Sequence, residues 1–263
     1  MQAGTLLKPG AANPRLARGG KTVYGARVGI LMLETGFPRI AGDFGNLTTW
    51  PFPIIVRVVK GLTSHTATTE NREQLIARCM DAATDLVAQG ADGISTSCGF
   101  LALVQDELAA RAGVPVAASS LLQVPMVEAL LPPGRRCGVI TVSTRLLTKA
   151  HLVAAGASAD TPLAGCENGT EFVDAFVTRH STLDCVKAEA DILRAGDELM
   201  ARHPDVGAVV LECTNMIPFA PALQAYLRVP VYSAYTLLCW FQAGLAPRDF
   251  GNPSSTPLGF AER

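Results

Sequence analysis

The chain has 263 residues, 49% of them apolar and only 17% charged, and its 22 Lys and Arg against 23 Asp and Glu leave a net charge of −1. That balance excludes a nucleic-acid binder working through a strongly basic face, and the apolar fraction excludes disorder over most of the chain. The length fits one large domain or two modest ones, and scarce aromatics (6%) suit tightly packed α/β layers.

The elements follow in chain order. Residues 1–21 carry Lys8, Arg15, Arg18 and Lys21 among Gly, Pro and Asn, with no apolar segment behind them. They predict a flexible leader, residues 1–23, and no secretory signal. Residues 27–33 (RVGILML) are a continuously apolar run between Gly25 and a turn at 36–38, as expected of a strand buried on both faces. Gly42-Asp43-Phe44-Gly45-Asn46 then precedes a second run at 54–59. From about 70 to 89 the spacing is helical: Leu75, Ile76, Cys79, Met80, Ala83, Leu86 and Val87 share one face, and Gly90 stands at a C-terminal cap. A strand at 93–97 runs into Cys98, and a helix at 101–112 and a strand at 114–118 follow. Alternating strands and helices predict parallel βα units.

The plan then repeats. Residues 136–142 (RCGVITV) match 27–33, with Gly138 in the place of Gly29. A helical stretch from about 183 to 202 leads to a strand at 207–211, then to Cys213, a helix and a strand at 229–232. Cys98 lies 115 − 98 = 17 positions before Pro115 of one Val-Pro-Val, and Cys213 lies 230 − 213 = 17 before Pro230 of the other. The matched order predicts an internal duplication: an α/β fold of two pseudo-symmetric Rossmann-like lobes with mainly parallel sheets, residues 24–131 and 132–233. Residues 234–263 would pack back on the first lobe, because Leu237, Leu238, Trp240 and Phe241 need cover.

No apolar run approaches the roughly 20 residues that cross a bilayer, so no membrane partner is expected. The seven cysteines are odd in number and no two stand three apart, so neither a CxxC zinc knuckle nor a dithiol redox pair is present. Reduced thiols and a cytoplasmic location are the expectation. Cys79, Cys137, Cys185 and Cys239 lie inside apolar periodic segments and read as small core residues, and Cys166 as an incidental loop thiol.

Cys98 and Cys213 differ, because each ends a buried strand where a helix begins. This carboxyl edge of a parallel sheet is where ligands bind. Free N–H groups of a helix start favour a thiolate and can hold a carboxylate. Two thiols facing each other across a pseudo-twofold axis suit removal of a proton next to a carboxylate by one and its return on the opposite face by the other.

At Ser95-Thr96-Ser97-Cys98-Gly99-Phe100, at Leu211-Glu212-Cys213-Thr214-Asn215, and at the Gly29 strand with residues 42–46 after it, the sequence resembles the aspartate/glutamate racemase superfamily. The resemblance spans roughly residues 24–244. It implies two lobes with the active site between them, catalytic Cys98 and Cys213, no cofactor and no metal. Substrate-binding roles fall on Asn46, Gly99, Phe100, Ser143, Thr144, Thr214 and Asn215. The expected activity is racemisation or epimerisation next to the carboxylate of a small acid. Decarboxylation of an arylmalonate, cis-trans isomerisation and non-catalytic binding of a small acid are the alternatives. The partner is a small carboxylate-bearing substrate, and a homodimer is left open.

One departure from the family pattern stands out. Glutamate and aspartate racemases usually follow the first thiol with Asn and Thr, whereas here Gly99-Phe100 makes the pocket more apolar. Glu212 is read as pointing away from Cys213, since adjacent strand residues face opposite sides. His180 could assist proton transfer or be a surface residue. Arg39 could attract an anion or be an exposed loop arginine. Asp43, and equally Asn46, could shape the glycine-flanked turn. No GxGxxG, P-loop, HExxH or Cys-x5-Arg motif occurs.

Overall fold

The computed structural model describes residues 19–177 and 181–248. Two four-stranded, all-parallel sheets carry the fold. The first contains β1 (Val28–Leu33), β2 (Ile54–Val59), β3 (Gly93–Thr96) and β4 (Val116–Ala117), ordered β2-β1-β3-β4. The second contains β5 (Arg136–Thr141), β6 (Leu163–Gly165), β7 (Val206–Leu211) and β8 (Val231–Tyr232), ordered β6-β5-β7-β8. The identical order realises the predicted repeat. Every residue of β1 is buried, as its unbroken apolar run requires.

The two central strands meet their helices through matched glycines. A Cβ on Gly29 would lie 3.0 Å from Ala91 and 3.1 Å from Leu86, and one on Gly138 would lie 2.8 Å from Leu199. Each sheet is thereby closely approached by an 18-residue helix, Arg72–Gln89 in the first half and Cys185–Arg202 in the second. Asn71 and Gln74 form a capping box at the start of the first, and Gly90, at φ +126°, ends it. Asp184 caps the second through the N–H groups of Val186 and Lys187. One continuous core runs through both halves.

Side chains stitch the halves together at the sheet edges. The Ser120 hydroxyl donates to the Leu211 carbonyl at 2.7 Å, Gln123 Nε2 to the Ser233 carbonyl at 2.9 Å, and the Thr214 hydroxyl to the Ser97 carbonyl at 2.9 Å. The helix Ala234–Leu245 packs on the first sheet. Ala234 and Leu238 join Val28, Ile30, Met32 and Trp50 in a second core, and Phe241 and Leu245 close over Gly93. Trp240, expected to need cover, is instead 58% exposed.

The elements differ from the sequence reading mainly at strand ends and after the thiols. The 114–118 and 229–232 strands shrink to the two-residue β4 and β8. Each half follows its thiol with a tight 3₁₀ turn, Gly99–Val104 and Thr214–Phe219, before the α-helix begins at Gln105 or Ala220. Cys185 lies exposed in the first turn of its helix, while Cys166 is buried. No helix among the described residues is long and apolar enough to cross a membrane.

Candidate active site

β3 ends at Thr96, so Ser97 and Cys98 stand at the carboxyl edge of the first sheet; β7 ends at Leu211, so Glu212 and Cys213 stand at that of the second. The local chain explains why these edges hold still. The Leu33 N–H donates to Ser97 Oγ at 2.9 Å, and Thr96 Oγ1 donates to the Ala118 carbonyl at 2.6 Å. Both thiols line a single cleft between the halves.

The cleft wall is mostly apolar. Phe37 and Phe176 meet edge to face with centroids 4.9 Å apart, and Leu33, Phe100, Val142 and Leu146 complete it. Arg39 lines the cleft with its guanidinium carbon 4.4 Å from the Phe37 ring centre. It is not an exposed loop residue: Nη1 donates to Asp43 Oδ1 at 2.9 Å and Nη2 to Thr35 Oγ1 at 3.0 Å. Asp43 is 1% exposed and also accepts from the Gly45 N–H, which shapes the turn.

From Asp43 a chain of hydrogen bonds reaches the second thiol. Asn215 Nδ2 donates to Asp43 Oδ2 at 2.7 Å, which turns Asn215 Oδ1 toward Cys213 and lets Cys213 Sγ donate to it at 3.5 Å. A thiol that donates is held protonated. The first thiol has two backbone N–H groups directed at it, those of Phe100 and Leu101, where Cys213 has that of Asn215, and each favours the anion.

The expectation that strand-to-helix placement favours thiolates is overturned by burial. Desolvation, then the nearby Glu212 carboxyl, push Cys98 up to about 12 against the smaller downward pull of the Phe100 and Leu101 N–H groups. The same two causes, with smaller additions from Cys98 and Asp43, hold Cys213 well above its ordinary value against the downward pull of the Asn215 N–H. Short 3₁₀ turns have too little aligned dipole to offset the loss of water around a sulfur anion.

Four of the seven predicted substrate-binding residues line the cleft with the thiols: Gly99, Phe100, Thr214 and Asn215. The side chains of Thr214 and Asn215 are already engaged with Ser97 and Asp43. Asn46, Ser143 and Thr144 do not line it. Asn46 caps the 3₁₀ turn Leu47–Thr49 through the Thr48 N–H and donates to the Arg39 carbonyl at 3.0 Å. Ser143 Oγ accepts from the Arg145 N–H, and the Thr144 hydroxyl donates to Glu167. Asn46 and Ser143 thus serve their own turns, and Thr144 ties its turn to Glu167. His180 lies outside the described residues.

Glu212 is the residue that sequence reasoning set aside and the structure brings to the site. It is fully buried; the Thr141 hydroxyl donates to Oε2 at 2.7 Å, and Oε1 has no hydrogen-bond partner. Its carboxyl fills the notch above Gly99, where a Cβ would collide with Oε1 and with the Glu212 carbonyl. Burial raises it from the ordinary 4.5 to about 7 despite the Thr141 bond. The glycine after the first thiol was the legible signal, since a missing side chain there leaves room for something else.

Comparison with known proteins agrees with this architecture. No family model matches the chain. A glycine-to-cysteine mutant of arylmalonate decarboxylase superposes with a TM-score of 0.57 at 20% identity, covering 86% of this chain and 96% of that one. Allantoin racemase from Pseudomonas fluorescens does so at 0.56 and 15%, covering 83% and 90%. The fold is therefore shared with arylmalonate decarboxylase and allantoin racemase. By sequence, the chain is 27% identical over 229 residues to dimethylsulfoniopropionate lyase of Durusdinium sp. clade D, covering 83% of this chain and 75% of that protein. It is 29% identical over 229 residues to dimethylsulfoniopropionate lyase 5 of Emiliania huxleyi, covering 80% of this chain and 44% of that protein.

Proposed function

We propose that the protein is a cofactor-independent lyase that removes the proton α to a carboxylate and expels a sulfonium group from the neighbouring carbon, with dimethylsulfoniopropionate as the first candidate substrate. The observation that carries it is two thiols of unlike hydrogen bonding in one apolar cleft. Cys98, toward which two N–H groups point, is the base. Its thiolate takes the α-proton, the C–H pair becomes the Cα=Cβ bond, and the Cβ–S pair leaves with sulfur, giving acrylate and dimethyl sulfide. Cys213, a donor to Asn215, stays protonated on the opposite flank.

The wall supports a sulfonium more than an amino acid. An ammonium group calls for a hydrogen-bonding counter-charge, and the one carboxylate among the described lining residues, Glu212, is sealed from solvent. A dialkylsulfonium has no N–H to satisfy and is attracted by aromatic faces such as those of Phe37, Phe100 and Phe176. Arg39, the one cation among the described lining residues, meets the carboxylate charge. The sequence relatives, matched over about four fifths of this chain, carry the lyase name and support the same reading.

Racemisation is the second reading, favoured by the presence of both thiols, since a returned proton needs a donor on the other face. Incubation with dimethylsulfoniopropionate, reading dimethyl sulfide in the headspace and acrylate by NMR, tests the lyase. Deuterium uptake by small carboxylates without dimethyl sulfide release would transfer the reading to racemisation. Neither signal, from folded protein, would end both.

A further inference from the structure

The most unusual buried group in the molecule is one that the proposed chemistry does not use. Glu212 sits between the two thiol-bearing turns: it directly precedes Cys213 in the chain, and its carboxyl packs over Gly99, the neighbour of Cys98. It is fully buried, it spends one oxygen on Thr141, and its other oxygen has no partner. A structural carboxylate buried for packing alone would have both oxygens bonded, because an unmet lone pair in the interior is costly. Neither thiol donates to it, so any influence it has on them is through its charge.

We propose that Glu212 is a positioning residue that governs how readily Cys98 and Cys213 ionise, its sealed carboxylate opposing thiolate formation at both. A thiolate beside the buried Glu212 carboxylate places two negative charges in one low-dielectric volume, which is strongly disfavoured. The neighbourhood leaves Glu212 this control. Cys79, from the helix Arg72–Gln89, faces Cys98 but is itself a buried thiol raised to about 12. Asp43 faces Cys213 and is paired with Arg39. His151, edge-on to Phe100, is pushed below its ordinary value by burial and adds no positive charge. The direction agrees with the placement, since Glu212 is the second largest cause raising each thiol, after burial. The inference rests on these two thiols being the working pair and is independent of which acid they act on.

The test uses no substrate, so its failure is separable from failure of the lyase reading. Iodoacetamide labelling of Cys98 and Cys213 is followed against pH by peptide mass spectrometry, with thiolate absorbance at 240 nm in parallel. In Glu212→Gln the onset of labelling is expected at least about one pH unit lower, roughly tenfold faster at a fixed pH below the onset. Glu212→Asp, which keeps the charge, is expected to retain the late onset. An unchanged profile in Glu212→Gln overturns the proposal, and so does an equal shift in both variants, which would mean only loosened packing. Should Glu212→Gln fail to fold, Glu212→Leu replaces it: it too removes the charge, so the onset is expected to move down, and no movement overturns the proposal.

Discussion

The two halves of the molecule are copies in topology and opposites in chemistry. Each builds its sheet in the same order around a central strand whose glycine admits a helix, and each delivers a cysteine to the carboxyl edge. After the cysteine they diverge. In the first half Gly99 yields its side-chain space to Glu212, and backbone N–H groups turn to Cys98. In the second half Thr214 and Asn215 carry side chains that reach across to Ser97 and Asp43, and Asn215 presents an acceptor to Cys213. A duplicated fold supplies two thiols lining one cleft, and unequal neighbours give them different hydrogen-bond surroundings.

The comparison breaks most decisively at the thiols. Cys98→Ala is expected to lose activity near the upper end of the 10²–10⁴-fold range of general acid–base catalysis, and Cys213→Ala near its lower end. Steady-state kinetics on the substrate found by the headspace assay reads this, and equal losses would erase the proposed division of labour. The wild-type rate should also climb with pH through the neutral range, because the thiolate of Cys98 becomes populated only as pH approaches about 12.

Stability gives the next largest effect. Glu212 has a folded value near 7, above its unfolded value near 4.5, so the folded state holds the extra proton. Its contribution is complete below about 4.5 and is lost as pH rises through about 7, by roughly 3 kcal/mol at most. Urea melts at stepped pH should show that decline in the wild type and a flatter curve in Glu212→Gln. Asymmetry at the position after each thiol comes next. Gly99→Ala is expected to cost about 1–3 kcal/mol, because the new methyl meets the Glu212 carboxyl and carbonyl. The smallest effect belongs to Thr214→Val, about 1 kcal/mol for the lost bond to Ser97. If the two costs were reversed, the packing contrast between the halves would be mistaken.

Much of this was legible in the sequence, for reasons visible in particular residues. The apolar run at 27–33 and its echo at 136–142 place both central strands, since a strand covered on both faces has no polar positions to alternate. Gly90 ends a helix, as the cap chemistry of that residue type requires. The 17-residue spacing from each cysteine to its Val-Pro-Val places the thiols equivalently. Glu212 escaped because the alternation rule applies within a strand, and β7 ends at Leu211. Asn46, Ser143 and Thr144 lie outside the cleft lining, and residue type alone could not show this, because a short polar side chain in a loop suits a turn and a ligand equally well. In the structure they bond to Thr48, Arg145 and Glu167.

The sequence by itself determined the duplicated α/β plan and the pairing of Cys98 with Cys213, because periodicity and spacing are local properties that a single chain displays. Only the tertiary structure decided how acidic those thiols are and which groups attend them. Desolvation and charge act through space, so the Glu212 carboxyl over Gly99 and the Asp43–Asn215 link to Cys213, 172 residues apart at its ends, exist only once the halves close on each other.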